Sequence, residues 1–175
     1  MGVLLNREEA IYHFLKEDLY TAVCWGRLYA RANIASLRFD ESMRIAEDGK
    51  FFLGAIQKSS HIYVIPERYY YYYIREGSAV HSGFTEKYFD TLGFCEEMAR
   101  DYQGVPRLGE AAAQNLYGFA RGLLERKDLP AEAYRKLLPR AKKAYQTASP
   151  YLSVKKKVKF MLLCNPVLRR LVLRG

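Results

Sequence analysis

The sequence predicts a mixed α/β chain, an α+β fragment in which few strands are followed by a helical C-terminal region. Short β-rich runs separated by turn residues lie within residues 1–83. Beyond residue 84, apolar residues recur at helical spacing, and glycine and proline separate the helical stretches. The chain has 175 residues, of which 50% are hydrophobic and 27% charged, so it can bury a core.

The first helix is predicted over residues 7–18. Asn6 and Glu9 form a variant of the capping box, and an apolar face follows them. The next stretch, residues 20–30, is apolar and aromatic, but a run this short fits a strand or a helix equally well. Its type stays open.

Two carboxylates, Glu47 and Asp48, are predicted to lie at the start of a second helix, because the helix dipole favours acids in a first turn. Residues 61–65 are rich in β-formers and predict a strand. Residues 69–74 contain five consecutive tyrosines and predict a further strand covered on both faces. We expect these tyrosines to lie in the core.

The rest of the chain is predicted to be helical. Three helices are expected over residues 84–102, 109–126 and 131–147, and two short basic amphipathic helices lie on either side of Pro166. The predicted division of the chain is therefore a strand-bearing part over 1–83, a helical region over 84–150 and a basic amphipathic tail over 151–175.

The formal net charge of +9 arises from the C-terminal end of the chain. Residues 1–130 carry 16 basic and 18 acidic residues, whereas residues 151–175 carry seven basic residues and no acid. Lysines flank an apolar stripe formed by Val154, Val158, Met161 and Leu162. This pattern fits an anionic membrane surface, contacted by residues 152–174, and fits equally a stripe that packs on the body of the protein. Nucleic acid is not expected, because few aromatic residues accompany the lysines.

Location and metal binding follow from what the pattern lacks. No apolar run is long enough to span a bilayer, and the first residues lack the basic segment of a signal peptide, which predicts a cytoplasmic protein, peripheral at the inner face of the membrane. The three cysteines and three histidines are scattered along the chain. This predicts neither a disulfide framework nor a metal site.

Four motifs occur in order within residues 20–80. They are Trp25-Gly26-Arg27-Leu28-Tyr29, Arg38-Phe39-Asp40-Glu41, Ala46-Glu47-Asp48, and Tyr69–Tyr73 running into Arg75-Glu76-Gly77-Ser78. The succession resembles the second half of the family 2 glycosyltransferases, bacterial enzymes of the GT-A fold that build capsules, lipopolysaccharide and other surface glycans. Arg27 stands where the family usually has lysine. The basic tail with its later Asn-Pro is also similar to the C-terminal end of many members.

The resemblance implies roles for particular residues. Asp48 would be the general base that takes the proton of an acceptor hydroxyl, and Glu47 would be its supporting carboxylate. The residues implied to contact substrate are Trp25, Arg27, Tyr29, Arg75 and Ser78. Spacing alone favours a purely structural role for Glu47 and Asp48 as first-turn acids of a helix, whereas the ordered succession of motifs favours the catalytic one.

The donor-binding half of the family is missing from these residues. No D-x-D motif and no glycine-rich phosphate loop occurs, so the chain is expected to hold no cofactor, whereas the complete enzyme would use Mg²⁺ or Mn²⁺. We therefore expect a partial glycosyltransferase, inactive alone, whose complete form would bind a nucleotide-sugar donor and a glycan acceptor. The alternative is a non-enzymatic membrane-surface or adaptor module that uses the basic tail.

Overall fold

The structure is a computed structural model that describes residues 2–71, 73 and 83–173. The chain is mixed α and β, mostly helical, and the described residues contain two short antiparallel strands. It divides into two compact units, residues 1–82 and residues 83–175, which we call the N-terminal and the C-terminal unit. We describe each unit by itself.

In the described residues, the N-terminal unit combines a two-stranded sheet with helices. Its elements are β1 (Val3–Asn6), α1 (Arg7–Lys16), α2 (Arg31–Ile34), α3 (Glu47–Lys58) and β2 (His61–Val64). The strands pair antiparallel, with Val3 opposite Val64 and Asn6 opposite His61. The predicted capping box is confirmed, because the Asn6 side chain accepts from the backbone N–H of Glu9 at 3.0 Å while Glu9 Oε2 accepts from the backbone N–H of Asn6 at 2.9 Å.

The core of the N-terminal unit lies between α1 and α3. Both helices bury an apolar face, and the rings of Phe14 and Phe52 meet edge to face with centroids 5.8 Å apart. The predicted helix start is confirmed, since α3 begins at Glu47. The buried face of α3 therefore fixes which way its first turn points.

The tyrosine run differs from its prediction. Residues 69–71 and 73 form no strand, and their side chains are exposed, from 52% for Tyr70 to 82% for Tyr71. Tyr72 and Ile74 lie outside the described residues. The strand prediction and the core prediction are both wrong for the described tyrosines, since β1 and β2 pair with each other and these residues join neither open edge of that sheet. Residues 20–30, whose type the sequence left open, are irregular.

The C-terminal unit is helical throughout its described residues. Its elements are α4 (Tyr88–Asp101), α5 (Leu108–Glu125), α6 (Ala131–Ala148), a 3₁₀ turn (Ser149–Tyr151), α7 (Val154–Cys164) and α8 (Pro166–Val172). The predicted helices are thus confirmed, with the first beginning four residues later than expected. Small residues line the inner face of α5, including Ala112 and Ala120, neither of which is exposed, so neighbouring helices can approach closely.

The basic tail packs onto the C-terminal unit. Phe160 of α7 is buried and its ring stacks on that of Tyr145, with centroids 4.5 Å apart. In α8, the Arg169 guanidinium donates to the backbone carbonyls of Leu124 at 2.7 Å and Arg126 at 2.6 Å. None of the helices in the described part of the chain combines the length and the apolar character that crossing a bilayer requires.

Candidate functional site

The aromatic loop, residues 20–30, lies against the first turns of α3. Its backbone forms neither helix nor strand, and side-chain contacts stabilise its conformation. Gly26 has φ +68°, a left-handed conformation that a side chain would strain, and a Cβ there would lie 3.5 Å from Cβ of Tyr70. This loop contains three of the residues predicted to contact substrate, namely Trp25, Arg27 and Tyr29.

Arg27 holds the aromatic loop together. Its guanidinium donates to the backbone carbonyl of Val23 at 2.8 Å and to that of Thr21, and lies 3.9 Å from the centre of the Phe52 ring. Burial lowers the pKa of Arg27, although the group stays charged at neutral pH. The structure thus assigns this side chain a loop-stabilising role through protein contacts. Its predicted contact with substrate stays a prediction.

Tyr29 connects the loop to α3. Its hydroxyl donates to the backbone carbonyl of Cys24 at 2.9 Å, and its ring meets that of Phe51 edge to face at 6.1 Å. Burial raises the pKa of Tyr29 to about 12, so the hydroxyl is neutral at physiological pH. Tyr29 is partly exposed.

Trp25 forms an exposed aromatic pair with Tyr70. The two rings stack with centroids 4.5 Å apart and an interplanar angle of 21°. Trp25 is 39% exposed and Tyr70 52% exposed, so the pair is a surface feature and not part of the core. Sequence reasoning missed Tyr70 because a run of tyrosines resembles a buried strand; no periodic signal distinguishes the member that pairs with Trp25.

Asp48 lies in the first turn of α3 and is half-buried. One carboxylate oxygen accepts from the backbone N–H of Gly49 at 2.7 Å, and the backbone N–H of Cys24 also interacts with the carboxylate. Burial raises the pKa of Asp48, and the neighbouring charge of Glu47 raises it further, while the two N–H groups oppose the change. The residue directly before Trp25 therefore contacts the predicted base.

Glu47 places an unsatisfied oxygen beside Asp48. Its Oε2 atom is buried and has no hydrogen-bond partner among the residues that the structure describes. A buried acceptor without a partner costs free energy, so the first turn of α3 carries an unsatisfied carboxylate oxygen beside Asp48. The two predicted carboxylates thus differ: Asp48 accepts from backbone N–H groups, and Glu47 has a buried oxygen without a partner among the described residues.

The remaining sequence predictions for this site concern two substrate residues and a divalent metal. Arg75 and Ser78 lie outside the described residues. Asp40 accepts from Lys50 at 3.1 Å and from Ser42, and so forms part of a surface ion pair. Within residues 2–71, 73 and 83–173, no three His, Cys, Asp or Glu side chains are grouped to hold a metal ion. The divalent metal that the resemblance implies therefore has no ligand set in this part of the chain.

The arrangement suits a polyhydroxylated ligand. A pair of stacked aromatic rings offers an apolar face, and the loop that carries it also contacts a carboxylate whose raised pKa makes it a better proton acceptor. An adjacent carboxylate oxygen, Glu47 Oε2, is buried and has no hydrogen-bond partner among the described residues. No family model, curated protein or solved structure matches the chain.

Proposed function

We propose that the N-terminal unit is the acceptor-side part of a family 2 glycosyltransferase of the GT-A fold, which acts in the synthesis of a cell-surface polysaccharide. The observation that carries the proposal is the contact between the aromatic loop and the half-buried Asp48 at the start of α3. This contact joins two of the four motifs that resemble the family. The aromatic loop and the Glu47–Asp48 pair are thus neighbours in space as well as following one another in the sequence.

The reaction proposed for Asp48 is an inverting transfer. The oxygen of an acceptor hydroxyl attacks the anomeric carbon of the donor sugar and forms the new glycosidic bond. The bond between that carbon and the diphosphate oxygen breaks, and the nucleoside diphosphate leaves with the electron pair. Asp48 takes the hydroxyl proton. A carboxylate with a raised pKa is suited to this step, because its basicity is greater than that of an ordinary aspartate.

The acceptor sugar is proposed to lie on the exposed pair of Trp25 and Tyr70. The apolar face of a pyranose ring packs on an aromatic ring, and this pair presents such rings at the surface. Glu47 is proposed to be the supporting carboxylate, because its neighbouring charge raises the pKa of Asp48. Tyr29 stabilises the aromatic loop through its contacts with Cys24 and Phe51.

Because the sequence contains no D-x-D motif and no glycine-rich phosphate loop, we expect the chain alone to bind acceptor glycans without transferring sugar. Trp25 is the only tryptophan of the chain, so its fluorescence reports directly on the proposed glycan site at the Trp25–Tyr70 pair. Titration with oligosaccharides prepared from bacterial surface polysaccharides is expected to give a saturable change in emission. Detectable transfer from a nucleotide sugar by the chain alone would contradict the assignment.

Substitutions distinguish glycan binding at the Trp25–Tyr70 pair from nonspecific binding to exposed aromatic residues. Tyr70→Ala removes the stacking partner and is expected to weaken glycan binding about fivefold, since one aromatic contact is worth roughly 1 kcal/mol beyond its area. Tyr63→Ala is the matched control, because Tyr63 is also exposed but lies on β2. Equal weakening by the two variants would show that the Trp25 pair is not the glycan site.

A further inference from the structure

Helix α7 has apolar residues on two opposite faces. Phe160 and Leu163 are 3% and 0% exposed and face the body of the C-terminal unit. Val154, Val158 and Met161 are 76%, 45% and 56% exposed. Because each residue turns the helix by about 100°, the second group lies on the opposite side from the first. One face therefore completes the core, and the other is left in solvent.

Helix α8 repeats this division. Arg169 attaches the helix to the body, because its guanidinium donates to two backbone carbonyls and lies 5.3 Å from the centre of the Tyr134 ring. Val167 and Leu171 are 67% and 60% exposed. They lie on the side of the helix away from Arg169. Two consecutive helices thus each present an apolar stripe to solvent, joined at Asn165, which caps α8 with its side chain.

Positive charge borders these stripes. Residues 151–173 contain six basic residues and no aspartate or glutamate. Lys155 and Lys157 lie one on each side of the α7 stripe, because they are about 100° and 60° from Val154 around the helix axis. Lys159 is turned towards the body and pairs with Glu125 at 2.9 Å. The exposed apolar surface is therefore flanked by cations.

We propose that the exposed stripes of α7 and α8 form a docking surface for an anionic lipid bilayer. Apolar side chains between lysines suit the membrane interface, because the side chains enter the acyl boundary while the ammonium groups stay among the anionic headgroups. The buried faces of the same helices anchor the surface to the C-terminal unit. The proposal is independent of the glycosyltransferase function.

Charge and chemistry favour lipid over the other occupants. A second copy of the chain would bring the same lysines together, which opposes association through this face. Nucleic acid would use the lysines but would leave Val154, Val158 and Met161 without partners, since base stacking needs aromatic side chains. An anionic bilayer uses the lysines and the apolar stripe at once.

Vesicle sedimentation tests the proposal on the full chain. The wild-type protein is expected to sediment with vesicles of phosphatidylcholine and phosphatidylglycerol at 3:1, and to stay in the supernatant with phosphatidylcholine alone. The triple variant Val154→Gln, Val158→Gln, Met161→Gln is expected to bind about tenfold more weakly for each side chain that no longer inserts. The double variant Lys155→Gln, Lys157→Gln is expected to lose about fivefold per lysine.

Matched controls distinguish this surface from general effects. Leu28→Gln alters a fully exposed leucine of the N-terminal unit, and the pair Lys16→Gln, Lys58→Gln removes the same charge there; both should bind like the wild type. Circular dichroism should show unchanged helix content in all variants, because none of the altered side chains is buried. The proposal is overturned if the wild type ignores anionic vesicles or if the apolar variant binds them undiminished. It is equally overturned if the chain binds duplex DNA more tightly than the vesicles.

Discussion

At the scale of the residue, Asp48 is held in a position that is costly when it is ionised. Burial raises its pKa above the ordinary 3.8, so the folded protein binds this proton more tightly than the unfolded chain does. Its contribution to stability is therefore complete below the ordinary pKa and is lost as the pH rises through the raised one. A first-turn acid with a purely structural role would act in the opposite direction.

This difference gives a test of the two interpretations of Asp48. The substitution Asp48→Asn is expected to increase the free energy of unfolding at pH 7 by less than about 1 kcal/mol, because the group is still partly hydrated. At pH 3 the carboxyl is neutral and the variant should match the wild type. Urea denaturation at the two pH values measures both quantities. A loss of stability at pH 7 would support the structural role.

At the scale of the element, the start of α3 is strained where the proposed base is placed. Ala46, the N-cap residue, has φ 67° and no side-chain cap. For an alanine, this left-handed conformation costs about 1–2 kcal/mol, which glycine avoids. The left-handed conformation of Ala46 turns the chain sharply into α3. Glu47 and Asp48 are thereby placed in its first turn, beside the aromatic loop.

We therefore expect Ala46→Gly to stabilise the N-terminal unit by about 0.5 kcal/mol, the relief of strain being partly offset by the greater freedom of glycine in the unfolded chain. The matched control is Ala32→Gly in α2, which has ordinary helical geometry and should lose about 0.5–1 kcal/mol. Thermal unfolding of the two variants compares the signs directly. The strain account fails if both variants are destabilised.

The elements differ in how far the sequence determined them. The α3 start was predictable because acids and an apolar period act locally, and the helices after residue 84 were predictable for the same reason. The Tyr69–Tyr73 run was not, because strand formation depends on a neighbouring strand that local propensity cannot supply. Tyr70 became part of the site only through its contact with Trp25, 45 positions away in the chain.

At the scale of the whole molecule, charge is divided between the two units. Residues 1–82 contain ten basic and ten acidic residues, and residues 83–175 contain 18 basic and nine acidic ones. The net charge of +9 therefore belongs to the unit that carries the exposed apolar stripes. The predicted roles divide in the same way, with proton transfer assigned to the neutral unit and membrane docking to the basic one.

Helix α7 of the basic tail has one buried face and one exposed face. Substitutions at two adjacent positions test this description. Phe160→Ala is expected to destabilise the unit by about 3–5 kcal/mol, because it empties a buried site between Tyr117 and Tyr145. Met161→Ala, one position further along, should change stability by no more than about 0.5 kcal/mol, since Met161 is exposed. Guanidinium unfolding of both variants is the measurement, and similar losses would refute the two-faced description of α7.

The central claim, that Asp48 is the base of a glycosyl transfer, is tested most directly by turnover. The chain is joined behind the donor-binding half of a family 2 glycosyltransferase, and sugar transfer to a glycan acceptor is measured for the wild type, Asp48→Asn and the exposed control Asp101→Asn. We predict that Asp48→Asn lowers the rate by about 10²–10⁴-fold and that Asp101→Asn leaves it unchanged. An Asp48→Asn protein that transfers sugar as fast as the wild type would contradict the account.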